Sequence, residues 1–189
     1  MENRFVTRLQ RPLFVGVSAL CLGLAACSST HSDRHMTAPS GDGDIAVPAG
    51  YTSWTKFVPT VDKPNGQVRE IYINDQGMQA RRGEAFPPGT ISVMEIYGPR
   101  KDARGNPATG DNGRLVKGEL AKVFVMAKGD GWGQTLPAGT IDNGDWLYAA
   151  YEADAKTPAT NDFSKCRECH APMAGDDYIA RYGEHFDNR

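Results

Sequence analysis

The chain has 189 residues, with 21 Lys and Arg against 23 Asp and Glu and a formal net charge of −2. No basic patch stands out in that balance, which argues against a nucleic-acid partner. The chain has four cysteines, of which only Cys166 and Cys169 lie beyond residue 27, too few for a disulfide framework.

In chain order, Arg4, Arg8 and Arg11 form a basic leader, and an apolar run follows from Leu13 to Ala26. The run is shorter than the roughly 20 apolar residues a membrane-spanning helix needs. It reads as the hydrophobic part of an export signal. It ends in Leu24-Ala25-Ala26-Cys27, which looks like a bacterial lipobox. Cys27 is therefore expected to be acylated and to become the new N-terminus. Ser28, in place of Asp, points in similar lipoproteins to the outer membrane. The expected location is the periplasm, with a lipid anchor in that membrane. Residues 1–26 are then a signal peptide, and their removal takes away three Arg and one Glu, leaving a net charge of −4.

Residues 27–45 contain the polar stretch SSTHSDRHMTAPSGDGD. Such a composition cannot bury enough apolar surface to offset its ordering entropy, so it is expected to be a flexible tether. His31 and His35 lie in it, and solvation is the expected state of both rather than metal binding. Residues 46–189 suit a single core.

Four segments of that domain are rich in Val, Ile, Tyr, Phe and Trp: QVREIYI (67–73), TISVMEIYG (90–98), ELAKVFVMA (119–127) and DWLYAAYEA (145–153). They predict strands. In the second, Ile91, Val93 and Tyr97 fall on one face, and Met94 and Ile96 on the other. KPNGQ supplies a turn before the first, and FPPGT and GDGWG punctuate the others. Residues 98–118 read as a long polar loop. The fold class is α+β: a mainly antiparallel sheet with short helices and a C-terminal helix that carries a cysteine pair.

That last element rests on KCRECHAP, residues 165–172. Cys166 and Cys169 are the only cysteines left in the domain, with His170 directly after them. Zinc, a thiol–disulfide couple and covalent haem all use such groups. A structural zinc site wants four ligands, and His185 is the one further candidate in the C-terminal segment. A redox pair normally opens a helix in a βαβ setting, whereas a loop precedes this one. Cys-x-x-Cys-His is the attachment sequence of c-type haem, and export suits that chemistry. Asn161 or Asp162 can cap a helix on which Cys166, Cys169 and His170 share a face. Both thiols can then form thioethers and His170 can be the proximal iron ligand. Pro172 should end this helix, and residues 175–186 can form a last one. Met173, three residues beyond His170, cannot reach across a porphyrin.

Together these residues resemble the cytochrome P-460 and cytochrome c′-beta family over nearly the whole mature domain. The resemblance is carried by Gly50-Tyr51 with Trp54, by Ile71-Tyr72-Ile73-Asn74, and by Phe86-Pro87 with Gly89. Gly131-Trp132-Gly133 and the terminal Cys166-Arg167-Glu168-Cys169-His170 complete it. The resemblance implies one covalently attached haem c. In such proteins a lysine joined to the porphyrin accompanies hydroxylamine oxidation, whereas members without it have an apolar distal pocket and bind nitric oxide. Met94 stands at the position expected for that lysine, with Lys117, Lys122 and Lys128 as further candidates. Met94 is thus a distal candidate, either lining the pocket or ligating iron.

The expected function is binding or processing of nitric oxide or a related small nitrogen oxide at a five-coordinate haem. The alternatives are a periplasmic electron carrier with Met94 or Met126 as sixth ligand, and a hydroxylamine-oxidising enzyme. A homodimer, an unidentified redox partner protein and the membrane complete the expected partners.

Overall fold

The computed structural model describes residues 38–189. The acylation site Cys27, the signal segment, His31 and His35 lie outside the described residues. Six strands form one antiparallel sheet: β1 (Thr55–Lys56), β2 (Val61–Asp62), β3 (Val68–Ile73), β4 (Ile91–Pro99), β5 (Lys117–Lys128) and β6 (Trp146–Glu152). The order is β1-β3-β4-β5-β6, with β2 also pairing β3. Neighbours in sequence are neighbours in space, so β3 to β6 is a meander. Among the described residues three short α-helices accompany the sheet, α1 (Asp75–Met78), α2 (Phe163–His170) and α3 (Tyr182–Asp187), together with short 3₁₀ turns. The α+β class expected from the sequence is the class observed.

Register sets the two faces. Ile71, Met94, Phe124 and Ala150 stand in one row across the four long strands, and Ile73, Ser92, Met126 and Tyr148 in the next. On the other face Tyr72, Val93, Val125 and Ala149 form the matching row. Val93, Val125 and Ala149 are almost completely buried in a core with Ile45, Leu147 and Tyr151. The β3–β4 connection is fixed by Asn74. Its side-chain oxygen accepts from the N–H of Gly77 and of Ile91, each at 3.0 Å, and its amide donates to Gly89 O at 2.8 Å. Gly89 itself has φ 86°, a left-handed value that disfavours side chains.

Three segments differ from the sequence expectation. Residues 98–118 carry two small hairpins of their own rather than a plain loop: the bridges Lys101↔Pro107 and Thr109↔Leu115 close them, and at their base Arg100 N donates to Val116 O at 2.7 Å. Among residues 175–186 only Tyr182 onward is α-helical. Asp177, Tyr178 and Arg181 have positive φ and break the helix before it. The α-helix α2 ends at His170, and Pro172 lies inside a 3₁₀ continuation, Ala171–Asp176, rather than terminating it. In addition, residues 40–45, placed at the end of the tether by their composition, pack on the domain. Ile45 is 2% exposed, Gly43 N donates to Tyr148 O at 2.7 Å, and the Asp42 carboxylate accepts from Tyr148 N at 3.0 Å. A polar segment is ordered here because a buried cation, Arg167, meets Asp42.

Candidate functional site

α2 begins where Asp162 accepts the N–H of Ser164 at 3.1 Å. Asn161, the other cap candidate, instead points its amide at Cys166 Sγ, 3.6 Å away. Eight helical residues follow, and the 3.6-residue period divides them into two sides. Cys166, Cys169 and His170 line a cavity of about 440 Å³ between α2 and the sheet. Arg167 turns away from it and is 1% exposed. Its Nε and Nη2 donate to Asp42 at 2.7 and 2.9 Å, and its other N–H groups reach the carbonyls of Ile141 and Trp146. A buried guanidinium with a bidentate carboxylate is a strong, directional anchor. It locks the helix that carries the two thiols against β6. Sequence reading passed over Arg167 and Asp42, because an Arg between two cysteines and an Asp in a polar stretch carry no periodic signal.

His170 is largely buried, with its ring 5.4 Å from that of Tyr148 and tilted by 56°. Its Nδ1 lies 2.6 Å from Tyr178 O. A carbonyl can only accept, so Nδ1 carries the proton and Nε2 keeps its lone pair. Burial pushes the imidazole pKa down and outweighs the opposing effect of that hydrogen bond. His170 is therefore neutral at pH 7, the form that ligates metals. Burial also pushes the Cys166 thiol up. Cys166 and Cys169 are both free thiols.

The sheet side of the cavity is made by Ile71, Met94, Phe124 and Met126, and Phe57, Phe86 and Trp146 line it as well. Met94 is thus a lining residue, as is Met126; Met173 is not. None of Lys117, Lys122 and Lys128 lines the cavity. Lys117 and Lys128 are instead paired with Glu70 and Asp177, and Lys122 lies 4.0 Å from Glu152.

The wall is not uniformly apolar, which corrects the sequence expectation. Arg69, one step along β3 from the Met94 row, lines it as well. Its Nη2 donates to Gln67 Oε1 at 2.9 Å, and its Nη1 lies 4.0 Å from Met94 Sδ. Burial lowers its pKa. Strand alternation could have placed Arg69 on the Met94 face, since its partner across the ladder is Ile96.

Three buried polar atoms of lining residues have no hydrogen-bond partner among the described residues: Arg69 Nε, Trp146 Nε1 and Tyr148 OH. Buried donors are rarely left so. Such atoms mark a place made for a polar guest, and cavities of about 300–1,000 Å³ hold small molecules. His185, the remaining zinc candidate, sits in α3 with Nδ1 2.7 Å from Phe57 O, stacked on the Phe57 ring at 4.1 Å. Among the described residues no group of three or more His, Cys, Asp and Glu stands ready for a metal ion.

No curated protein matches the chain. The family model described as Cytochrome P460 matches residues 48–180, which run from the first turn of the domain through α2 to the loop behind His170. The match spans well over half of the sequence and includes every lining residue of the cavity but Arg181, so the chain belongs to the cytochrome P-460 family, with the haem cofactor that this family implies.

Proposed function

We propose that this is an exported, lipid-anchored c-type haem protein that binds nitric oxide or a related small nitrogen oxide at a five-coordinate iron. One observation carries the reading. Cys166, Cys169 and His170 line a single cavity whose sheet wall offers two thioethers and no imidazole. The residues present fit the group. Two thiols and a neutral imidazole on one helical face are the donor set for thioether attachment and proximal ligation. The space between α2 and the Ile71–Met94–Phe124 row suits an apolar ring, and the orphaned donors Arg69, Trp146 and Tyr148 suit polar substituents.

Haem bound here would supply an axial site for a small ligand and a one-electron couple. The chain's own residues shape what reaches that site. Cys166 and Cys169 would hold the ring in place, and His170 would present Nε2 with its tautomer fixed by Tyr178. Ile71, Met94 and Phe124 exclude water from the opposite wall and admit a small neutral diatomic. Arg69 adds a cation at the edge of that wall, so a nitrogen oxyanion is also accommodated. The anchor is proposed at Cys27, from the lipobox-like sequence alone.

Ferric and ferrous optical spectra of the purified protein, with and without nitric oxide, test the reading. The expected result is a high-spin iron that binds nitric oxide when reduced. The competing electron carrier is favoured by the thioethers of Met94 and Met126 in the cavity. A low-spin iron that ignores nitric oxide supports that reading and refutes ours. Cys27→Ala should release the protein from the membrane fraction, and unchanged fractionation refutes the anchor.

A further inference from the structure

Behind His170 the chain takes a shape that needs holding. Asp177 and Tyr178 are consecutive, non-glycine and left-handed, with φ of 52° and 60°. Aspartate tolerates that region, but a tyrosine there is uncommon. This turn is what carries Tyr178 O to within 2.6 Å of His170 Nδ1. One residue earlier, the Asp177 carboxylate is gripped from the sheet. Lys128 Nζ donates to both of its oxygens, at 2.8 and 2.9 Å, and Phe86 N donates to one at 2.8 Å. The pair is secluded, with side chains 11% and 12% exposed.

Its far end is rigid. Lys128 closes β5, where its backbone N–H donates to Thr90 O and its carbonyl accepts from Gly89 N. It pairs with Trp146 in the ladder, and its ammonium lies 5.6 Å from the centre of that indole. The end of β5 and the backbone of Phe86 therefore converge on a single carboxylate, one peptide unit from the carbonyl that holds the histidine.

We propose that Lys128 and Asp177 are positioning residues for the proximal ligand: their ion pair holds the turn that sets the Tyr178 carbonyl on His170 Nδ1. The inference rests on the reading of His170 as an iron ligand. A hydrogen bond to the outer nitrogen of a ligating histidine fixes its orientation and raises its basicity. Loosening it should make the imidazole a weaker donor to iron, which favours the reduced state.

The test uses the haem-loaded full chain. Lys128→Met and Asp177→Ala should lower the iron–histidine stretching frequency of the ferrous protein in resonance Raman and raise its reduction potential. Asp177→Asn keeps one acceptor oxygen and should fall between Asp177→Ala and the wild type. Lys117→Met, which breaks an ion pair on the opposite face, should lower Tm and leave both readings unchanged. A fall in Tm for Lys128→Met and Asp177→Ala with both readings at wild-type values makes the pair a structural brace only and overturns the inference. If those two variants do not fold, Asp177→Asn decides: a wild-type frequency and potential overturn it. Failure of the underlying reading looks different, because the ferrous wild type would then show no iron–histidine stretch at all.

Discussion

The two faces of the sheet are built from the same strands and differ in one physical respect, the state of their polar groups. On the face away from the cavity, Glu95 is 4% exposed and accepts from Tyr51 OH at 2.7 Å and Tyr97 OH at 2.6 Å. Glu70 is 7% exposed and is met by Lys56 at 2.7 Å, Lys117 at 2.9 Å and Tyr72 OH at 3.0 Å. All four oxygens of Glu70 and Glu95 have donors, and burial together with these carboxylates pushes the three tyrosine hydroxyls up. On the cavity face Arg69 Nε, Trp146 Nε1 and Tyr148 OH have no partner among the described residues. A saturated polar network rigidifies a core, whereas donors left open at low dielectric are costly unless something meets them. The first face maintains the sheet, and the second is shaped for a guest.

The largest expected effect breaks the cavity face alone. Cys166→Ser with Cys169→Ser should abolish covalent haem, read by retention after acid–acetone extraction. Free extraction of haem from the wild type would refute attachment. Next comes the saturated face. Glu95→Ala strips the acceptor from the buried Tyr51 and the half-buried Tyr97, and leaving such donors unsatisfied should cost about 2–4 kcal/mol in urea unfolding. The optical spectrum should not change, and a changed spectrum would couple the faces after all.

Third is the acid limb. Burial raises the Glu70 carboxyl, but Lys56, Lys117 and Tyr72 outweigh it and bring it from its ordinary 4.5 to about 2. Its folded value lies below its unfolded one, so its stabilisation is complete above about pH 4.5 and is lost as pH falls toward 2. With both lysines about half exposed, the contribution is about 1–2 kcal/mol after screening. Glu70→Gln should flatten the stability profile in that window, and an unaltered acid limb would sink the assignment.

The smallest effect is Met94→Ala. Its side chain borders space rather than filling a core, so the loss should be about 1–2 kcal/mol, below the usual 2–5 for a core methionine. On the five-coordinate reading the iron stays high-spin. Conversion of a low-spin wild type to high-spin by this change would make Met94 the sixth ligand.

Strand periodicity alone put Met94 and Ile96 on one side of β4 and Val93 and Tyr97 on the other, because a two-residue period leaves no freedom once a strand is extended. The spacing of Cys166, Cys169 and His170 likewise determined a shared helical face, since an i, i+3, i+4 set can do nothing else on an α-helix. Contacts made across many residues were decided by the tertiary structure. Asp42 reads as tether until Arg167, 125 positions later, draws it in. Residues 98–118 read as loop until their ends are brought into register by β4 and β5. Arg69 reads as an ordinary strand residue until the cavity closes beside it. The helix expected over 175–186 failed at Asp177 and Tyr178, where Lys128 and Phe86 hold a left-handed turn that local propensity opposes. Local geometry can be read from one segment of chain, but a charge pair or a strained turn takes its meaning from a partner that only folding brings near.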